Sequence, residues 1–276
     1  SLTSLCLWSA HVCQRTIAPS LTTYPMSPQL PWLEDTDPFP APLHSWGPDT
    51  PAPGLLAAGG QLDVPHLAQA YRQGIFPWFS TGQPILWWSP NPRMVLETNN
   101  FRLHRSLRKT LHKFRTDPNC EIRVDHDFQA VIAQCAGRHR KEQNGTWIVP
   151  PMVEAYNAFH AAGHAHSIET WIEGRLVGGL YCIGMGRAVF GESMFALATD
   201  ASKIALAAMV CMCRRQRVPL IDCQQNTAHL ASLGAREIER SVFLQHVSDA
   251  CMQEPLHWSF DPVYWDELLP PSAPAA

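Results

Sequence analysis

Between residues 164 and 252 the chain alternates strand signals with tight turns in an order that few folds accommodate. "HSIETWI" (166–172) and "RLVGGLYCI" (175–183) are rich in β-branched and aromatic residues. Only Glu173-Gly174 separates them, which predicts a two-residue hairpin. "GMGR" then turns into a third strand, "AVFGESMF" (188–195). Asp200 or Ser202 opens a long apolar helix reaching about residue 214. "VPLIDCQ" (218–224) reads as a short buried strand, Thr227 caps a helix that Gly234 closes, and "SVFLQHVSDACM" (241–252) is one more helix. Three strands, a helix, a strand and helices predict an α/β chain of the α+β kind, a mixed sheet flanked by helices.

The first half is less regular. "GIFPWFSTGQPILWWSPNPR" (74–93) places Phe76, Trp78, Phe79, Trp87 and Trp88 among four prolines. A segment so rich in proline is neither a helix nor a central strand. Its rings form either a hydrophobic plug or a stiff stacking platform, and one or two of them at most would serve a ligand. Upstream, "GLLAAGGQLDVPHLAQAYRQG" (54–74) predicts a turn and a helix capped by Asp63, with Pro65 in its first turn and Gly74 at its end. Leu67, Ala70 and Tyr71 give that helix its buried stripe. "RMVLET" (93–98) reads as a strand. "FRLHRSLRKTLHKFR" (101–115) reads as a helix with Leu103, Leu107, Leu111 and Phe114 on one face. Further helices are expected at 127–136 and over "PPMVEAYNAFHAAG" (150–163), with the basic loop "GRHRKEQNGTW" (137–147) between them.

This division gives an extension and proline-rich arm over 1–53, a small domain with a basic helix over 54–145, a mixed-sheet domain over 146–262 and a flexible tail over 263–276. Met26 is the first methionine, and residues 1–25 read as an upstream extension from a misplaced start codon. A net charge of -3 announces no global affinity for nucleic acid, so any such contact needs a local patch. The nine cysteines show no disulfide framework and no CxxC pair, which suits a reducing compartment and excludes a usual zinc site. The longest apolar run, 204–213, is about half a membrane span.

Four groups of residues carry possible chemistry. Asp222 and Gln224 in "LIDCQ" stand two apart on a strand, so period-2 geometry aims both at one face, where they can orient an amine. The plainer reading is a strand-end aspartate capping a neighbouring helix. Glu192 in "GESMF" is an acid in a core strand and needs a partner or a task; the plainer reading is a buried pair with an arginine. The helix 101–115 carries Arg102, Arg105, Arg108, Lys109, Lys113 and Arg115 with no acid among them. It is either a phosphate-binding face or an ordinary solvated one. His164 and His166 are read as core or hydrogen-bonding histidines, because no third metal ligand is at hand.

The C-terminal order resembles the GNAT type of acyltransferase fold. More specifically, "GIFPWFS", "PILWWSPNPR", "GTWI", "GHAHSIE", "GESMF", "ASKIAL", "LIDCQ" and "ASLGA", in that order, resemble the leucyl/phenylalanyl-tRNA–protein transferases from about Leu55 to about Val247. The resemblance implies a cytoplasmic bacterial monomer with no cofactor, metal or membrane anchor. It implies aminoacyl-tRNA carrying Leu, Phe or Met as donor, proteins with N-terminal Arg or Lys as acceptors, and an N-degron fate for the product. It further implies that Trp78 and Trp147 pack around the terminal adenosine and that Glu192 positions the aminoacyl end. Leu180 and Met194 would line the side-chain pocket. Asp222 and Gln224 would hold the incoming amine, with the proton going to Asp222 or to the tRNA 2′-hydroxyl. Arg105, Arg108, Lys109 and Lys113 would grip the acceptor stem. Gln61 in "GGQL", and Cys182 with Leu180 in "GGLYC", depart from the family pattern. The competing readings are an acyl-CoA-dependent N-acetyltransferase, which needs a glycine-rich pyrophosphate loop that "LATDASKIAL" lacks, and a non-catalytic RNA-binding module.

Overall fold

The computed structural model of the chain describes residues 29–137 and 148–270. Strands β1 (Trp32–Leu33), β2 (Leu55–Gly59), β3 (Phe76–Pro77) and β4 (Leu86–Trp88) form a small sheet in the order β1-β2-β4-β3. Helix α1 (Val64–Arg72) lies between β2 and β3 and is capped as its sequence predicts: the Asp63 carboxylate accepts from the His66 amide at 2.9 Å. Such a cap is worth about 0.5–2 kcal/mol.

The remaining elements are β5 (Arg93–Glu97), α2 (Arg105–Thr116), β6 (Cys120–Val124), α3 (Phe128–Ala136), α4 (Pro150–Ala161), β7 (Ala165–Ile172), β8 (Arg175–Met185), β9 (Ala188–Ala196), α5 (Ala201–Arg215), β10 (Leu220–Gln224), α6 (Ala228–Ser232), β11 (Arg236–Ile238) and α7 (Arg240–Cys251). A seven-stranded mixed sheet runs β11-β5-β10-β9-β8-β7-β6. The β7–β8 turn has Glu173 at φ 52° and Gly174 at φ 70°, the doubly positive pair that a two-residue hairpin favours. The strand run read from the second half is therefore present, as the centre of the sheet. The sheet also takes in β5 and β6, so it spans the boundary expected at 145–146.

Two cores sandwich the sheet. On one face α1, α3, α4, α7 and the small sheet bury Leu67, Tyr71, Phe128, Tyr156, Phe159, Phe190 and Phe243. On the other, α2, α5 and the C-terminal segment bury Leu107, Leu111, Ile168, Leu180, Met194 and Met209. Helix α5 approaches β8 so closely that a Cβ on Gly178 would stand 2.5 Å from that of Ala201, which only glycine permits. The expected tail at 263–276 is not free over its described part. Residues Pro262–Glu267 form a 3-10 turn, Trp265 is 3% exposed, and Leu268 and Leu269 are buried with it. Arg214 Nη1 holds the Glu267 carbonyl at 2.8 Å. The apolar triplet Trp265, Leu268 and Leu269 is the signal that proline-rich surroundings obscure.

The segment 74–93 is mostly plug. Phe76, Phe79, Trp87 and Trp88 are buried, and the Trp87 indole donates to the Gly59 carbonyl at 2.8 Å. Trp78 alone of the five is half exposed. No described helix is long and apolar enough to cross a membrane.

Candidate active site at the parting of two parallel strands

Strands β9 and β10 pair in parallel at two positions only, Ile221 with Val189 and Asp222 with Phe190. Beyond Phe190, β9 continues to Ala196 while β10 ends at Gln224. The ladder between the two strands ends there.

Both strands become irregular at this point. In β9 the register steps from Cys182↔Gly191 to Tyr181↔Ser193. Glu192 is the extra residue of this bulge, which reverses the side-chain alternation after it. In β10 the register slips between Asp222 and Gln224, and Gln224 takes a left-handed φ of 61°. Strict alternation therefore does not carry Gln224 beside Asp222. A bend does: the Gln224 backbone N–H donates back to Asp222 Oδ1 at 2.9 Å.

Glu192 is 2% exposed and engaged by two elements. Tyr71 of α1 donates to Glu192 Oε1 at 2.7 Å, and Gln224 Nε2 donates to the same oxygen at 3.0 Å. Tyr71 and Tyr156 of α4 meet hydroxyl to hydroxyl at 2.5 Å. With Tyr71 donating to the carboxylate, Tyr156 must donate to Tyr71. Burial pushes the Glu192 carboxyl up to about 8, and the negative charge of Asp222 adds to this; the two hydrogen bonds and Arg93 pull the other way without cancelling it. Burial and the neighbouring Glu192 push Tyr71 well above the usual phenol range, so it stays a donor. Burial raises Tyr156 in the same way.

Asp222 caps no helix. Its carboxylate takes a two-pronged pair from Arg93 of β5, Nε to Oδ1 at 2.8 Å and Nη2 to Oδ2 at 2.7 Å, with both side chains 1% exposed. Arg93 Nη1 reaches on to the Gly74 carbonyl at 3.0 Å. The buried arginine pair that sequence reasoning offers for Glu192 thus belongs to Asp222. Sequence reasoning missed Arg93, Tyr71 and Tyr156 as members of the group. Arg93 ends "SPNPR" and reads as the start of a strand; Tyr71 reads as ordinary helix core.

The other expected residues divide. Leu180 and Met194 are cross-strand partners. They lie in the core beneath α5, on the face away from the Glu192 carboxylate, and Cys182 lies there too. Where the β9–β10 pairing ends, the carboxylate thus lies on one face of the sheet and this apolar layer on the other. Trp78 lies tilted against Trp88, centroids 5.4 Å apart, and its segment is tied to the site through Gly74 and Arg93. Trp147 lies outside the described residues.

Helix α2 begins at Arg105 rather than 101 and flanks α5. Arg105, Lys109 and Lys113 are exposed and form no ion pair with a described residue. Arg108 Nη1 reaches the Leu268 carbonyl at 3.4 Å, and Arg115 is taken up by Asp266 at 2.7 Å. Thr110 donates to Asp200 at 3.3 Å, which fixes the basic helix beside the loop that leaves the open end of β9. His166 bonds Asp125 at 2.7 Å and stacks on Trp258, as a hydrogen-bonding core histidine does. No metal-binding cluster occurs among the described residues.

A family model described as leucyl/phenylalanyl-tRNA protein transferase matches residues 95–248, and one described as the N-terminal domain of the same protein matches residues 60–91. A leucyl/phenylalanyl-tRNA–protein transferase of Polaromonas sp. (strain JS666 / ATCC BAA-500) is 59% identical over 89% of this chain and 96% of its own length. The protein of that name from Albidiferax ferrireducens is 55% identical over 89% of this chain and 97% of its own. That from Paraburkholderia xenovorans is 54% identical over 88% of this chain and all of its own.

Proposed function

The chain belongs to the leucyl/phenylalanyl-tRNA protein transferase family, and we propose that it transfers an amino acid from aminoacyl-tRNA to the α-amine of an acceptor protein. The donors are tRNAs charged with Leu, Phe or Met, and the acceptors begin with Arg or Lys. The product is marked for N-degron proteolysis, and the reaction takes place in the cytoplasm. The observation that carries this reading is the end of the pairing between β9 and β10. It has a buried, hydrogen-bonded carboxyl on one side and an apolar layer on the other.

An aminoacyl ester is already activated, so alignment can supply most of the acceleration, up to roughly 7–11 kcal/mol in well-oriented cases. The aminoacyl side chain would pass toward Leu180 and Met194. Such a pocket separates Leu, Phe and Met poorly, since one methylene is worth only about 1–3 kcal/mol. Trp78 and Trp147 would stack the terminal adenosine, and Arg105, Arg108, Lys109 and Lys113 would contact phosphates. The amine enters beside Gln224 and Glu192 in its neutral form, its ammonium proton having gone to solvent. As its nitrogen bonds to the ester carbon, its proton passes to ionised Glu192. The proton returns to the departing 3′-oxygen when the C–O bond breaks. A carboxyl near 8 ionises over the pH range in which an α-amine, with a pKa of about 7.7–8.0, becomes neutral, so the two reacting forms occur together. Asp222, held at both oxygens by Arg93, orients Gln224 and leaves the proton to Glu192.

The test mixes the protein with labelled leucyl-tRNA and peptides beginning with Arg or Ala. Label on the Arg peptide alone is expected. Binding without transfer would favour an RNA-binding module, and activity with acetyl-CoA would favour an N-acetyltransferase.

A further inference from the structure

We infer that Arg93 is a positioning residue for the transfer: it neutralises Asp222, holds the bend that aims Gln224 at Glu192, and ties that bend to the segment bearing Trp78. The inference rests on the reading of the site given above.

Arg93 is enclosed on all sides. Its guanidinium lies between the rings of Phe76 and Phe243, 4.9 and 4.4 Å from their centroids. Three of its N–H groups are spent, two on Asp222 and one on the Gly74 carbonyl. Burying such a pair costs desolvation that an apolar pair of the same volume would avoid, so stability alone is a weak reason for it. Its geometry supplies a stronger one. Asp222 Oδ1 accepts from Arg93 Nε and from the Gln224 backbone N–H together. The fork therefore fixes the oxygen on which the left-handed bend at Gln224 hangs, and Gln224 Nε2 reaches Glu192 from that bend. A lysine offers one point charge and cannot hold both oxygens in plane with the bend. On its other side Arg93 holds Gly74, where α1 ends and "IFPWFS" begins. One side chain thus links the stacking segment, the amine-holding strand and, through Gln224, the carboxyl.

The pair is also electrically closed. The described groups near Glu192 are Tyr71, Tyr156, Cys182, Asp222 and Arg93; near the pair stand His246 and Arg240 of α7 and Cys223, whose thiol burial pushes well up and keeps protonated. Burial holds both tyrosines and Cys182 protonated, and burial lowers His246, so it is neutral at and above pH 7. Arg240 stays charged throughout. Between pH 7 and 9 Glu192 is thus the group that titrates here. Asp222 pushes it up and Arg93 pulls it down, so breaking the pair from either end must shift its midpoint in opposite directions.

The experiment compares wild type, Arg93→Met, Asp222→Asn, the double variant and Arg93→Lys. The Glu192 midpoint is read by infrared titration of the protein without substrate, with Glu192→Gln identifying the band. Transfer is followed with leucyl-tRNA and an Arg peptide. Arg93→Met is expected to raise the midpoint and Asp222→Asn to lower it, with the double variant returning toward wild type. Arg93→Met should lower kcat about 100-fold with KM for leucyl-tRNA changed less than about threefold. Arg93→Lys keeps the charge and should keep the midpoint while still losing kcat about tenfold, and it carries the comparison with Asp222→Asn should Arg93→Met fail to fold. Midpoints of Arg93→Met and Asp222→Asn that stay put or move together would overturn the inference, as would an Arg93→Lys that keeps its kcat or a loss in KM alone. A wild type that transfers nothing but shows the opposed midpoints would sink the proposed function and leave the positioning pair standing.

Discussion

Glu192→Gln tests the buried carboxyl directly. In the folded chain Glu192 titrates at about 8 instead of its ordinary 4.5, mainly because burial disfavours its charge. Below pH 4.5 it is protonated in both folded and unfolded chains and contributes no pH dependence. Between 4.5 and 8 the unfolded chain releases the proton and the folded chain keeps it, so stability falls as pH rises. At about 1.4 kcal/mol per pH unit, the loss by pH 8 comes to roughly 5 kcal/mol, and above that it is constant. Glutamine has the same shape, and its carbonyl can accept from Tyr71 and Gln224, but it has no proton to lose. Urea unfolding of both proteins at pH 5, 6, 7, 8 and 9 and fixed ionic strength checks this. The advantage of Glu192→Gln over wild type should grow by about 1.4 kcal/mol per unit from pH 5 and level off past 8. Parallel stability curves would mean that Glu192 is ionised in the folded state throughout, and the assignment of the proton to it would fall. An advantage that shrank with rising pH would reverse the sign and reject the burial argument.

Three further outcomes follow from the same geometry. Tyr71→Phe removes a donor to the ionised carboxyl; it should cost about 1–3 kcal/mol in unfolding experiments and move the pH–rate profile to higher pH. Arg105→Gln with Lys109→Gln should weaken leucyl-tRNA binding and flatten its salt dependence by nearly two charges, read from binding isotherms at several salt concentrations; an unchanged slope would leave α2 a solvated face. Replacing Met194 or Leu180 with alanine should change the ratio of transfer from leucyl- and phenylalanyl-tRNA by about 10–200-fold, and equal loss with both would place the side-chain pocket elsewhere.

Much of the architecture is legible in the sequence because local rules act alone there. Glu173-Gly174 dictates its hairpin, Asp63 and Thr227 their caps, and the heavy apolar content of 201–213 its burial on α5. Asp222, Gln224 and Glu192 are legible as polar residues in apolar strands, an expensive placement that calls for partners. Those partners are not legible. Arg93 and Asp222 lie 129 residues apart, and Tyr71 and Glu192 121 apart. No short-range signal distinguishes Tyr71 from the rest of its helical stripe. The docked C-terminal segment escapes for another reason. Its prolines read as punctuation, yet Trp265, Leu268 and Leu269 gain more from burial than the irregular backbone loses.

The two strand irregularities are best understood together. A regular β9 would send Glu192 and Met194 to the same face. The bulge sends the carboxyl toward Tyr71 and Met194 beneath α5, so the end of the β9–β10 pairing has one polar and one greasy wall. The bend at Gln224 then brings its amide to the polar wall at the cost of a left-handed φ, on the order of 1–2 kcal/mol for a residue with a Cβ. Gln224→Gly separates what the bend does for the fold from what it does for the reaction. Glycine adopts φ 61° freely and recovers that strain, but it loses the bond to Glu192, worth about 1 kcal/mol, and raises the entropy of the unfolded chain. These terms nearly cancel, so unfolding stability should stay within about 1 kcal/mol of wild type while transfer falls by two orders of magnitude or more. A variant that kept its transfer rate, or that lost more than about 3 kcal/mol of stability, would show that the side chain at 224 supports the fold and takes no part in holding the amine.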